Sequence, residues 1–172
     1  MPAHDRPTMH LNLNLLATGR HDGAWRLTYS RHAVTDIDEF VALARTAEQG
    51  TLDAIFLPDN PGLGDVALVR PWHSLDPTIL LSALATATEH IGLIATVNTN
   101  YADPYTVARR FTSLDHVSKG RAGWNIVTSQ GEVAMANFGV DEPLGQHERY
   151  ERADEFTDVV TRLWDSLDDD AV

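Results

Sequence analysis

The sequence contains no cysteine in its 172 residues. Disulfide bonds, thiolate catalysis and cysteine-based zinc sites are therefore excluded. It also contains no run of about 18 apolar residues, so no segment predicts a membrane span. Residues 1–9 have no apolar stretch behind a basic head, which argues against a signal peptide. We therefore expect a cytoplasmic protein without a membrane partner.

Positive charge is scarce as well. Lys119 is the only lysine, and 13 basic residues face 25 acidic ones, a formal net charge of −12. This balance argues against a nucleic-acid partner, since a protein that binds phosphate backbones needs the opposite sign. Much of the excess lies in residues 141–172. We interpret it as a solvated helix face, with an acidic interaction tail as the alternative.

Apolar stretches predict four short strands. The first alternates polar and apolar residues, whereas the next three are nearly continuous apolar runs. The strand starts lie about 30 to 40 residues apart, which is the length of a β–α–β crossover. Near-continuous apolar strands joined through helices predict a parallel sheet. The predicted strands are Met9–Leu16, Leu52–Leu57, Ile91–Val97 and Arg121–Ser129.

Helices are predicted between the strands and after the last one. Thr35 and Asp38 have the spacing of a capping box at the start of the first helix. Asp76 and Asp103 are N-cap residues, each followed by proline at the first helical position. A loop that includes Asn137–Gly139 is predicted before the last helix. That helix is predicted to carry one apolar face made of Tyr150, Ala153, Phe156, Val160, Leu163 and Trp164.

These elements leave two architectures open. The fold class is α/β, and the parallel sheet belongs either to a doubly wound sheet or to part of a (β/α) barrel. A complete eight-unit barrel needs roughly 250 residues, more than this sequence has. Periodicity alone does not choose between the two.

Polar residues lie at, or directly after, the carboxyl end of each predicted strand. In parallel α/β folds the carboxyl ends of the strands form the edge at which ligands bind. Asn, Asp and Thr are also common turn formers, so the pattern alone leaves a polar ligand site and ordinary turns open. The residues are Asn14, Thr18, Asp59, Asn60, Thr96, Asn98, Thr99, Asn100, Asn125, Thr128 and Ser129.

Several stretches carry a resemblance to a known family. They include AEQGTLDAIFLPDN (47–60), WNIVTS (124–129) and the pattern RYxxADEF (149–156). On these stretches the sequence resembles the luciferase-like FMN-dependent monooxygenases, in the branch of nitrilotriacetate monooxygenase component A and the sulfone monooxygenases. The resemblance implies the N-terminal half, about four βα units, of a TIM-type (β/α)8 barrel. Residues 1–172 would then form a partial barrel domain, truncated at its C-terminus.

The resemblance also implies an activity. Such enzymes take reduced FMN (FMNH2) from a separate NAD(P)H flavin reductase and use O2 to form a flavin C4a-peroxide, which oxygenates a small organic substrate. The cofactor carries the chemistry, while the protein orients the flavin ring and excludes water. We also expect a homo-oligomer. The alternative is a non-catalytic half-barrel that acts as a binding or oligomerisation module.

The resemblance assigns roles to individual residues. Ser129 would be the catalytic residue, at a position where some relatives carry histidine. Tyr150 matches the tyrosine of the late helix. The family histidine lies four residues before that tyrosine, where this sequence has Gln146, and His147 follows it. We assign the contact to His147. The other residues expected to bind the cofactor are Asp59, Thr96, Asn98, Thr99, Asn125 and Thr128.

The substrate stays open among an aminopolycarboxylate, a sulfur heterocycle and an alkane-like compound. Arg20, His21, Arg26 and Arg70 lie in loops of the predicted ligand-binding edge. They would either meet an acidic substrate or serve as ordinary surface charges.

Overall fold

The computed structural model describes residues 9–16, 18–19, 21, 23–27, 34–65 and 75–166. Within these residues, none of the helices is long and apolar enough to cross a membrane. A 3-10 turn lies at Ala24–Arg26. The strands are β1 (Asn12–Asn14), β2 (Ala54–Leu57), β3 (Gly92–Asn98) and β4 (Ala122–Val127), and the helices are α1 (Ile37–Gln49), α2 (Pro77–Ala87), α3 (Pro104–Ser118), α4 (Glu132–Asn137) and α5 (Gln146–Trp164).

The four strands form one parallel sheet in the order β1-β2-β3-β4. Leu13 pairs with Ile55, which in turn pairs with Leu93. The helices also pack in sequence, α1 on α2, α2 on α3 and α3 on α5, and so form one layer. A doubly wound sheet reverses its strand order where the chain crosses to the other face, whereas consecutive neighbours are the order of a barrel. The strand order therefore favours part of a (β/α) barrel.

Aspartate side chains begin two of the helices as predicted. Asp76 accepts hydrogen bonds from the backbone N–H groups of Thr78 and Ile79 at 2.8 and 3.2 Å. Asp103 accepts from the N–H of Thr106 at 2.9 Å. A proline occupies the first turn of each helix, where its missing N–H removes no helical hydrogen bond.

The predicted capping box of the first helix is wrong. The N-cap of α1 is Asp36 rather than Thr35, and its carboxylate accepts from the N–H groups of Asp38 and Glu39. A carboxylate at this position satisfies two helical donors and meets the positive end of the helix dipole. This double contact explains why the helix begins one residue later than the spacing suggested.

The core lies between the sheet and the helix layer. Side chains that point from the strands toward the helices are almost completely buried, as are the inner faces of α1, α2 and α3. Burying each such leucine, isoleucine or phenylalanine contributes about 1.5–3 kcal/mol. The largest buried side chains include Phe40, Ile55, Leu80, Leu81, Leu84, Leu93 and Leu114.

Two predicted boundaries need correction. The first strand covers Asn12–Asn14 instead of residues 9–16, because only these three residues pair with β2 and nothing in the described part of the chain pairs with their other edge. The predicted loop before the last helix contains the short helix α4, which ends at Asn137. Its six residues are too few to give a clear helical period in the sequence.

The apolar face of α5 is confirmed in its middle and corrected at its ends. Ala153, Phe156 and Val160 are buried, whereas Tyr150 is 55% exposed and Trp164 39% exposed. Trp164 still packs its edge against the Trp124 ring, with centroids 6.4 Å apart, and donates its indole N–H to a backbone carbonyl of α3. Tyr150 lies in the second turn of the helix, beside a groove between β4 and α5.

Candidate functional site at the carboxyl ends of the strands

Polar side chains collect on the face of the sheet opposite the helices, which we call the open face. Side chains alternate between faces along a strand, so the buried Leu93 and Ala95 mark the helix side. The register then places Thr96 and Asn125 beside each other on the open face, near the carboxyl ends of β3 and β4. We call the carboxyl ends of the four strands, together with the residues that follow them, the rim.

Thr96 and Asn125 form a fixed pair. The side-chain amide of Asn125 donates to the hydroxyl of Thr96 at 3.0 Å, and Thr96 is only 3% exposed. This bond orients the amide of Asn125. Its Oδ1 makes no hydrogen bond within the described part of the chain. The pair therefore presents one oriented acceptor at the open face.

Asn98 and Thr99 bind the backbone of the loop after β4. The Asn98 amide donates to the carbonyl of Ser129 at 2.7 Å, while its Oδ1 accepts the N–H of Asn100 at 2.8 Å. Thr99 is fully buried, and its N–H donates to the carbonyl of Val127 at 3.0 Å. The structure thus places both residues at the rim, where Asn98 holds Ser129, the residue predicted to be catalytic, and Thr99 holds the end of β4.

Within the described part of the chain, three buried polar atoms at or beside the rim have no hydrogen-bond partner. They are Oδ1 of Asn100, the hydroxyl of Tyr101 and Nε of Arg149. Asn100 and Arg149 are neighbours, since both donate to the carbonyl oxygen of Thr128, at 3.0 and 2.9 Å. An unpaired buried polar group costs about 1–3 kcal/mol, so these atoms suit a polar group brought by a ligand or water.

Sequence reasoning missed two of these residues. Asn100 was placed at the rim but not among the residues expected to bind the cofactor, and Arg149 appeared only inside the pattern RYxxADEF. The half-buried guanidinium of Arg149 has no carboxylate within salt-bridge distance in the described residues. Nothing in the sequence indicates that the first turns of the last helix reach back to Thr128.

Asp59 lies at the rim in the loop after β2. Its side chain is exposed, and it stands between Pro58 and Asn60, whose Oδ1 accepts the N–H of Gly62 at 3.2 Å. The structure therefore keeps Asp59 accessible in a loop at the same edge of the sheet as Thr96 and Asn125.

Ser129, Thr128 and Tyr150 come together along a groove of about 740 Å³ between the edge of β4 and α5. The groove is open and also includes Ile126 and Ala153. His147 does not line it in the described structure. Its ring is exposed and its Nε2 lies 3.2 Å from the carboxylate of Glu151 one turn later, while Gln146 is exposed at the start of the helix.

The basic residues expected to meet an acidic substrate are only partly described. His21 accepts the N–H of Gly23 at 3.0 Å through Nδ1. Arg26 places its guanidinium carbon 5.3 Å from the centre of the Trp25 ring, a cation–π contact. Arg20 and Arg70 lie outside the described residues.

Two carboxyl groups with lowered pKa lie at the opposite edge of the sheet. Burial raises the pKa of Glu48, but hydrogen bonds from the N–H groups of residues 89–91 outweigh it and lower the pKa. For Asp53, hydrogen bonds from His10 and from the N–H of Leu11 lower the pKa. Both groups tie chain segments together at the amino-terminal ends of the strands, away from the rim.

Comparison with known proteins shows that the chain corresponds to part of larger proteins. A family described as luciferase-like monooxygenase matches residues 15–171. Nitrilotriacetate monooxygenase component A of Aminobacter aminovorans is 44% identical, over 95% of this chain and 39% of its own. The solved structure of EDTA monooxygenase from Chelativorans sp. BNC1 has a TM-score of 0.86 and 35% identity, over 95% of this chain and 41% of its own.

A solved structure of riboflavin lyase with modified FMN and riboflavin also matches, with a TM-score of 0.81 and 36% identity, over 92% of this chain and 38% of that chain. The chain spans about two fifths of the length of each of these three proteins. Its parallel four-stranded sheet is thus part of a TIM-type barrel, as predicted. The matches confirm the resemblance: the chain belongs to the luciferase-like monooxygenase family.

Proposed function

We propose that this chain supplies the FMN-binding edge of a flavin-dependent monooxygenase that oxygenates a small organic substrate with O2. A separate NAD(P)H flavin reductase would deliver the cofactor as FMNH2. The observation that carries the proposal is the rim itself, where an oriented amide acceptor, an exposed carboxylate and buried unpaired polar atoms gather at one edge of a parallel sheet. Ligands of parallel α/β folds bind at this edge.

The residues present fit a flavin. Its ring system combines flat apolar faces with a polar edge of N–H and carbonyl groups, and a ribityl chain with hydroxyls. The open face offers half-buried Phe56 and Ile94 beside the Thr96–Asn125 pair, which suits such a ring. The unpaired atoms of Asn100 and Arg149 suit a group that can both donate and accept hydrogen bonds.

The proposed roles divide into direct contacts and support. Asp59, Asn125 and Tyr150 would contact the cofactor, and Thr96 would orient Asn125. Asn98 and Thr99 would hold the Val127–Ser129 backbone in place, with Thr128 held by Asn100 and Arg149. His147 would reach the cofactor only by leaving Glu151.

When bound, FMNH2 supplies the two electrons with which one oxygen atom of O2 enters the substrate and the other leaves as water. The protein has to orient the ring and exclude water from it. Ser129 is exposed at the end of the groove and carries the hydroxyl that we propose as the catalytic group. The Asn98 bond to its carbonyl fixes its backbone.

We propose that activity requires the remaining strands of the barrel, since the relatives are more than twice as long as the matched portion. A fifth parallel strand fits the open edge of β4. There, Ile126 is 42% exposed and lines the groove together with α5. Sequestering this side chain and pairing the free strand edge would remove an aggregation liability.

A second candidate function is a binding or oligomerisation module. The outer surface between α2 and α3 has a groove of about 370 Å³ with exposed apolar side chains, Ile79 at 67%, Tyr105 at 61% and Val117 at 49%. Exposed apolar patches of this kind mark interaction surfaces. We propose that a homo-oligomer forms here. Sedimentation of the wild-type protein and of an Ile79→Glu variant tests it, and a concentration-independent monomer would refute it.

Flavin titration tests the first function. We expect the purified chain to quench the fluorescence of FMN with a dissociation constant on the order of tens of micromolar, and to bind FMNH2 under anaerobic conditions. Asn125→Leu should weaken binding, because it removes the oriented acceptor. Ser113→Ala is a matched control, since it removes one hydrogen bond of 2.8 Å within α3. Failure of both oxidation states to bind would refute the proposal for this chain.

A further inference from the structure

A short helix connects three loops of the rim. Asn137, at the end of α4, donates its side-chain amide to the carbonyl oxygen of Pro61 in the loop after β2, at 2.8 Å. The next residue, Phe138, stacks on Tyr101 in the loop after β3, with ring centroids 4.7 Å apart and an interplanar angle of 9°. We call residues 132–138 the strap, because they follow β4 and contact the loops after β2 and β3.

Gly62 is a point of close backbone contact between the strap and the loop after β2. Gly62 is buried, and a Cβ atom there would lie 2.8 Å from the backbone nitrogen of Ala134. Real Cβ atoms do not approach this closely, so the contact requires glycine. The strap therefore sets the position of this loop through its backbone as well as through the Asn137 bond.

A displacement at Pro61 reaches Asp59 within two residues. Pro58 and Pro61 flank Asp59 and Asn60, and each proline ring fixes its own φ angle. Asn60 also accepts the N–H of Gly62 through its side chain, which stiffens the turn. We therefore expect motion of the strap to be passed on to Asp59.

We propose that the strap positions Asp59 for its ligand, with Asn137 as the positioning residue; this inference rests on the proposed function, in which Asp59 contacts the flavin. Asp59 is exposed, and the place from which it reaches a ligand depends on the position of its loop. A six-residue helix is not stable by itself in water, so the strap and the loop hold each other in place.

A double-mutant cycle on FMN binding tests the inference. Asn137→Ala should weaken FMN binding about fivefold, the effect of losing one ordinary hydrogen bond. Asp59→Ala should also weaken it, and the variant with both changes should bind no more weakly than Asp59→Ala alone, because Asn137 acts through Asp59. Losses that multiply in the double variant would overturn the inference.

Two variants separate positioning from a general structural effect. Asn137→Gln keeps an amide donor and should recover part of the lost affinity, whereas Ser113→Ala removes a hydrogen bond of similar length in α3 and should leave FMN binding unchanged. The absorption spectrum of bound FMN should shift in Asn137→Ala and not in Ser113→Ala. Equal spectra and equal affinities for Asn137→Ala and wild type would overturn the inference.

Hydrogen exchange gives a readout that needs no flavin. The amides of Asp59, Asn60, Gly62 and Leu63 should exchange about fivefold faster in Asn137→Ala than in wild type, following the loss of one hydrogen bond. Unchanged exchange in Asn137→Ala would refute the claim that the strap holds the loop after β2, whether or not flavin binding changes. If the wild-type chain binds no FMN, the proposed function fails for this chain, while faster exchange would still support the coupling between the strap and the loop.

Discussion

Arg121 is the residue whose replacement should destabilise this fold most clearly. Its guanidinium makes five hydrogen bonds of 2.7 to 3.1 Å, four to backbone carbonyls and one to the hydroxyl of Thr88. These acceptors belong to the end of α2, the start of β3 and the end of α3. The positive charge faces the carboxyl ends of two helices, where the helix dipole favours a cation.

The magnitude of the loss follows from these contacts. Hydrogen bonds to a charged group contribute about 1.5–3 kcal/mol each when buried, but Arg121 is only half-buried, so water replaces part of what is lost. We expect Arg121→Met to lower the free energy of unfolding by about 3–4 kcal/mol, at the upper end of single substitutions. Arg121→Lys should lose about 2 kcal/mol, because a single ammonium group cannot reach acceptors spread around the edge of the planar guanidinium.

Urea unfolding followed by tryptophan fluorescence and circular dichroism measures these losses. Arg162→Met is the matched control, since Arg162 is exposed and bonds only Asp158 one turn away in α5, at 2.9 Å. An exposed pair of this kind contributes roughly 0–1 kcal/mol. The reasoning would be refuted if Arg121→Met and Arg162→Met had the same effect, or if Arg121→Lys were as stable as wild type.

Three further predictions concern single contacts. Because the pKa of Glu48 is lowered in the folded state, its carboxylate stabilises the fold at pH values above the ordinary pKa of 4.5, and this contribution is lost as pH falls through the folded pKa. The difference in free energy of unfolding between wild type and Glu48→Gln should therefore shrink as pH falls from about 6 to about 3 in urea titrations. Asp76→Ala should cost about 1–2 kcal/mol in thermal unfolding, because it removes the N-cap of α2. Thr96→Val should cost about 1 kcal/mol and weaken FMN binding, since the Asn125 amide loses its acceptor; unchanged FMN affinity would contradict the role given to the pair.

The helices of this protein could be predicted well because their information is local. Asp76 and Asp103, each followed by proline, mark helix starts that the structure confirms. Strand ends were predicted less well, since a strand ends where its neighbour stops pairing. β1 accordingly covers three residues rather than the eight that alternate in the sequence.

The sequence predicted at which edge of the sheet the candidate site lies, but not which of its residues bond to one another. The sequence placed Thr96, Asn98 and Asn125 at the carboxyl ends of neighbouring strands, and the structure brings them to one rim. It also shows that the Asn98 side chain holds the backbone of Ser129, whereas Oδ1 of Asn125 has no partner among the described residues. Which atoms remain for a ligand depends on bonds between residues about 30 positions apart, which no local pattern records.

For His147, too, the sequence did not show which side chain of the helix faces the site. The sequence offered two neighbouring positions, Gln146 and His147, for one expected contact. A shift of one residue turns a side chain by 100° around a helix, and in the structure His147 faces Glu151 rather than the groove beside Tyr150.

By itself, the sequence determined the alternation of strands and helices, the buried faces, two of the helix caps and the family. These depend on residue types and on periods of two and 3.6 residues, which adjacent positions carry. Only the tertiary structure decided the strand order that favours a barrel over a doubly wound sheet, the five bonds of Arg121 and the contact of the strap with Gly62. Each of these joins segments far apart in the chain, and their positions are set by the packing of the whole helix layer on the sheet.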